Sequence, residues 1–220
     1  MGKHILCLII NSLFCSTLLL AEQQVVPWQD PQVCGINREP ACAHFIPFSS
    51  EEKALANDLQ SNERRMSLDG TWKFLYSRKV DECPKDFFYE QFNVRKWKSI
   101  QVPGSWELQG FDAPIYTDVK YPFPADPPFV PSDYNPVGIY VREFIVPVSF
   151  QEMDVFLDFE GVESAFYCWV NGKLVGYGED SRLPSHFDVT SFLRPGKNKI
   201  AVQVFRYSDG SYLEGQDYWK

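Results

Sequence analysis

The sequence predicts an all-β protein, an antiparallel β-sandwich of jelly-roll form preceded by an extended arm. Three observations carry this. From residue 68 onward, runs of alternating aromatic and β-branched residues recur at short intervals. Turn-forming pairs such as Asp69-Gly70, Pro103-Gly104 and Asn171-Gly172 separate them. No long stretch with helical spacing intervenes, so strand follows strand, seven or eight in all, as in antiparallel two-layer folds.

The most constrained element is the hairpin in Val162–Asp180. Asn171-Gly172 tolerates the positive φ that a type I′ turn needs, which fixes the pairing of the flanking strands. Ala165, Tyr167 and Trp169 fall on one face of the first strand, while Phe166, Cys168 and Val170 fall on the other. Both faces are apolar, so both need a cover.

In chain order, Met1–Ala21 reads as a signal peptide. Lys3 and His4 precede a run from Ile5 to Leu20 interrupted by Asn11, Ser12, Ser16 and Thr17, too short and too broken for a membrane span of roughly 20 residues. Export to the periplasm or medium is therefore expected, with Glu22 as the first mature residue. Residues 22–67 have no periodicity and form the arm, whose Trp28, Phe45 and Phe48 are expected to tuck against a neighbouring surface. Within the arm, Ser49 and Glu52 fit a capping box for a short helix that fades by Asn57.

Residues 68–220 form the sandwich domain. Leu68 to Ser77 opens it as a strand, a helical turn is expected near Asp86–Gln91, and Ser99–Val102 is a short strand. The stretch 110–136 holds seven prolines and reads as a long, stiff, aromatic loop of the kind that usually serves function. Strands follow at Gly138–Pro147 and Asp154–Phe159, then the hairpin. A polar turn and a short edge come next within Pro184–Leu193. Last is a core strand in which Ile200, Val202 and Val204 alternate with Ala201, Gln203 and Phe205; its second face looks mixed.

The formal net charge is −8 and the basic residues are scattered, which argues against nucleic acid as a partner. Four cysteines remain after the leader. Cys168 is expected to be a core thiol, while Cys34 and Cys42 flank a loop where either a disulfide or two thiols is consistent with the sequence. No nucleophile and base, metal cluster or phosphate loop is evident. Asp118 in the proline-rich loop and Asp209 in the Ser208-Asp209-Gly210 turn stand out, because carboxylates beside aromatic rings suit sugar hydroxyls or a hard cation. Asp209 as a simple turn cap is the plainer alternative.

Longer blocks sharpen this. GFDAPIYTDVKYP, DPPFVPSDYNPVGIY, GVESAFYCWVNGKLVGYGEDSRLPSHFDVTSFLRPGKNKIAV and RYSDGSYLEGQDYW resemble the amino-terminal domain of the large β-galactosidases of glycoside hydrolase family 2. The likeness runs from about Trp28 to Lys220 and includes INREPACAHFIPF in the arm. It implies a retaining hydrolase of β-D-galactosides in which this domain completes a site housed mostly in a later barrel. Asp209 matches the family's aspartate that holds galactose and ligates a monovalent cation, usually sodium. Asp118 matches a substrate-touching position that is asparagine in the best-known members, so a carboxylate replaces an amide donor there.

By the same resemblance the catalytic glutamates and magnesium ligands lie in the barrel, and no carboxylate of this chain matches them. The resemblance further implies a β-galactoside substrate, the catalytic domain as partner within the same protein, and a homo-oligomer, with the present domain ending before its last strand. A freestanding carbohydrate-binding module is the alternative.

Overall fold

A computed structural model describes residues 26–115 and 120–214. Nine strands are present among them: β1 (Gly35–Ile36), β2 (Gly70–Ser77), β3 (Lys98–Val102), β4 (Val137–Val146), β5 (Phe156–Phe159), β6 (Ala165–Val170), β7 (Lys173–Glu179), β8 (Ser185–Asp188) and β9 (Gly196–Phe205). Seven form one sheet in the order β1-β7-β6-β9-β4-β2-β3, and β5 pairs with β8 in a second. Every pairing is antiparallel. The result is an antiparallel β-sandwich whose second layer, among the described residues, is only two strands wide.

The longest ladder, β4 with β9, pairs Val137 with Phe205 at one end and Val146 with Gly196 at the other. It lies at the centre of the large sheet, and alternation sends its side chains to two cores. On one face Trp72, Phe74, Phe166, Val170, Ile200 and Val202 pack toward Leu157, Phe159 and Phe187 of the β5–β8 layer. On the other, Val137, Ile139, Ala165, Tyr177, Ala201 and Phe205 are covered by Trp28 and by Phe87, Phe92 and Trp97 from the segment between β2 and β3. Each large apolar side chain fully buried this way contributes roughly 1.5–3 kcal/mol.

Asn171 and Gly172 take φ values of 51° and 81°, as the predicted I′ turn requires. The two faces of β6 divide as alternation demands. The register, however, shifts between Cys168, opposite Gly176, and Trp169, opposite Leu174. A bulge on β7 absorbs the extra Val175.

Other expectations need correction. The helix Glu51–Ala56 is capped by Ser50, whose side chain accepts from the Lys53 N–H, while Ser49 hydrogen-bonds Glu63 instead. The segment Asp86–Gln91 forms successive turns, with Tyr89 N–H donating to Asp86 and Phe92 N–H to Tyr89, and no helix. Phe45 stays 70% exposed, whereas Trp28 stacks on Phe205 at 4.3 Å. The supposedly mixed face of β9 is core too, because the irregular 80–97 segment covers it. The leader at 1–21 lies outside the described residues. Among the described residues no helix is long and apolar enough to cross a membrane.

Candidate functional site

Asp209 sits just past β9, where the strand's last ladder pair gives way to a turn and a one-turn helix, α2 (Ser211–Glu214). The turn is held from several sides. Asp209 N–H donates to the Trp28 carbonyl at 3.0 Å, which fastens it to the arm, and Tyr212 N–H donates to the Asp209 carbonyl at 3.1 Å. Ser208 Oγ and Ser164 Oγ share a hydrogen bond of 2.7 Å. One carboxylate oxygen, Oδ1, accepts from the Gly210 N–H at 3.1 Å, so Asp209 does cap its own turn. That uses one lone pair of a group able to accept about four hydrogen bonds. The residue keeps 7% of its surface exposed, and the neighbouring Glu179 carboxyl group takes up part of the remaining acceptor capacity.

A second carboxyl group meets it. Glu179, at the end of β7, is 5% exposed, and its Oε1 has no hydrogen-bond partner among the described residues. A β-carbon placed on Gly210 would lie 3.5 Å from that oxygen, so Glu179 packs directly on the Asp209 turn. Burial raises the Glu179 carboxyl well above the ordinary carboxylate range, and hydrogen bonding to the Asp209 carboxylate adds to the rise. Tyr177, two residues earlier on the same face, is fully buried with its hydroxyl likewise unpartnered. Its phenol is pushed up by burial and by the nearby Glu179 charge. Glu179 itself is fixed from the arm: its N–H donates to Cys34 at 3.2 Å and its carbonyl accepts from Arg38 Nη1 at 2.6 Å.

Sequence reasoning missed Glu179. The available signal was the period of β7, which puts residue 179 on the side of Tyr177 and therefore inside rather than in solvent. Asp118 lies outside the described residues. The flanks of its loop are ordered against the Asp209 segment: Tyr207 and Tyr212 form a small core with Val130, which Tyr121, Phe123 and Tyr134 adjoin. The described flanks of the loop therefore pack beside the segment that carries Asp209.

Asp209, Glu179 and Tyr177 are three buried oxygen-bearing side chains, a donor type that hard cations take in preference to transition metals. Among the described residues no set of three His, Cys, Asp or Glu side chains could hold a metal. Cys168 is a buried thiol, its pKa raised by burial, as a core cysteine should be. Cys34 and Cys42 are separate, exposed thiols.

Fold and site together define a β-sandwich domain with two buried carboxyl groups, Asp209 and Glu179, just past the end of its central strand and next to an aromatic cluster. The chain belongs to the family described as glycosyl hydrolases family 2, sugar binding domain, whose model matches residues 65–220. It is 47% identical over 195 residues to a β-galactosidase of Priestia megaterium, covering 87% of this chain and 19% of the relative. A β-galactosidase of Psychromonas ingrahamii is 44% identical over 192 residues, covering 87% and 18% respectively. A β-glucuronidase structure from Bifidobacterium dentium aligns over 63% of this chain and 19% of its own, at 26% identity and a TM-score of 0.47. The chain thus spans about a fifth of the curated relatives it matches.

Proposed function

We propose that this chain is the amino-terminal part of an exported, retaining β-galactosidase, in which it completes the site for a terminal β-D-galactoside. The observation that carries the reading is the recessed Asp209 carboxylate with acceptor capacity left over, on a domain whose relatives at 44–47% identity are β-galactosidases. Asp209 would accept hydrogen bonds from galactose hydroxyls and ligate sodium, with Glu179 as the neighbouring oxygen donor. Sodium there would supply a fixed positive charge beside the sugar. Asp118 would be a further substrate contact from the wall.

In a retaining mechanism one carboxylate attacks the anomeric carbon and a second serves as acid and then base. Those glutamates, and bound magnesium, are assigned to a later barrel domain of the same protein, and the assembled enzyme to a homo-oligomer. The same continuation would supply the strand that completes the jelly roll.

The test is Asp209→Ala in the longer protein, assayed on an aryl β-galactoside with and without sodium. Losing a hydroxyl contact and a cation ligand together removes on the order of 2–4 kcal/mol of transition-state stabilisation and abolishes the sodium response. Unchanged turnover with an unchanged sodium response would return Asp209 to the role of a turn cap.

A further inference from the structure

The stretch Arg206–Tyr212, which carries Asp209, grips the proline-rich loop at two points. At the first, Arg206 Nη1 pairs with the Asp112 carboxylate, Nη2 donates to the Ala113 carbonyl at 3.2 Å, and the same nitrogen lies 3.6 Å from Glu107. The Tyr134 hydroxyl also donates to Asp112, at 3.1 Å. Burial opposes the Asp112 charge, yet the Ala113 N–H, Tyr76, Arg206 and Tyr134 together hold its pKa below the usual carboxylate value. Asp112 adopts a φ of 148°, a conformation that a residue other than glycine keeps only where its surroundings over-determine it.

At the second point, the Tyr212 hydroxyl accepts from the Asp126 N–H at 3.0 Å and donates to the Phe129 carbonyl at 2.6 Å. The Tyr121 hydroxyl donates to the Tyr212 carbonyl at 3.0 Å. Ring contacts reinforce the bonds: Tyr212 lies edge-on to Tyr121 at 4.8 Å, and Phe123 edge-on to Tyr207 at 4.8 Å. One anchor would leave the loop free to swing. Two anchors, at 112–113 and at 126–129, hold the described parts of the loop in orientation as well as position.

We propose that Arg206 and Tyr212 are positioning residues that hold the described parts of the proline-rich segment, residues 110–115 and 120–134, as a rigid wall of the Asp209 site; this rests on the reading of Asp209 given above. Neither is placed on the substrate. Their effect on catalysis comes through the wall, whose aromatic and polar groups are ordered before the sugar arrives, so that binding loses less conformational entropy. Arg206 is suited to its end because a planar guanidinium can hold a carboxylate and a carbonyl at once.

The test uses the longer protein carrying Tyr212→Phe, Arg206→Met or Arg206→Lys. Tyr212→Phe keeps the ring and deletes both hydroxyl hydrogen bonds. Amide hydrogen exchange in 121–134 should quicken roughly three- to tenfold, the scale of one or two net hydrogen bonds, with the 165–179 hairpin unchanged. KM for an aryl galactoside should rise by a similar factor while kcat stays within about twofold. Arg206→Met should have the larger effect, and Arg206→Lys should restore part of it. Unchanged exchange in 121–134, or quicker exchange through the whole domain, would overturn the proposal, as would quicker loop exchange with no change in KM. The exchange measurement needs no turnover, so it decides the clamp even where Asp209→Ala shows the sugar-site reading to be wrong.

Discussion

A carboxyl group as enclosed as Glu179, 5% exposed and facing another carboxylate, keeps its proton at pH values where a solvated glutamate has lost it. Its folded pKa of about 8 lies above the roughly 4.3 of an unfolded chain. Between those values the folded state binds the extra proton. The stability Glu179 contributes is therefore complete below about pH 4.3 and is lost as the pH rises toward 8. Glu179→Gln keeps the shape, cannot ionise and can still donate to Asp209. Urea midpoints of wild type and Glu179→Gln should thus converge at pH 5 and separate by pH 8.5, the wild type falling. Parallel pH profiles for the two proteins would show that Glu179 is not a buried acid.

The elements themselves are set by close approach as much as by pattern. Gly138 on β4 has no room for a side chain: a β-carbon there would sit 2.3 Å from Trp106 Cζ3 and 2.8 Å from Phe74 Cε2. Gly138→Ala should therefore destabilise the domain by roughly 1–3 kcal/mol, the usual range for overpacking, as read by denaturant unfolding. Gly161→Ala, whose nearest contact would be the Ser181 carbonyl at 3.5 Å, is the control and should stay within about 0.5 kcal/mol. Near-equal midpoints for the two variants would mean that Trp106 is not wedged against β4. Trp106 also marks a limit of the sequence: it follows a Pro-Gly turn with no periodic neighbours, so nothing local said which way it faces, and it is 5% exposed. By contrast the β6–β7 hairpin was legible because turn chemistry and alternation agree there. The bulge at Val175 was not, since the alternation of β7 carries no mark of the register shift. Nor was the 80–97 cover, whose aromatic residues follow no period and become core only by meeting a sheet assembled from distant strands.

At the scale of the whole molecule, a seven-stranded sheet faced by a two-stranded layer holds two buried carboxyl groups just past the end of its central strand. Asp209 was visible as a carboxylate in a turn, but its partner Glu179 and the Arg206 clamp are brought to it by topology, across 30 and 94 residues of chain for the Glu179–Asp209 and Asp112–Arg206 pairs. On the account proposed above, the Asp209 turn binds and the bond is broken by groups supplied from elsewhere in the same protein. The most direct test is to follow hydrolysis of an aryl β-D-galactoside by proton NMR, with this chain alone and with the longer protein. The account predicts no release above the buffer blank from the chain alone, and from the longer protein galactose that appears first as the β anomer. Turnover by the chain alone, no galactose from the longer protein, or the α anomer appearing first would contradict it.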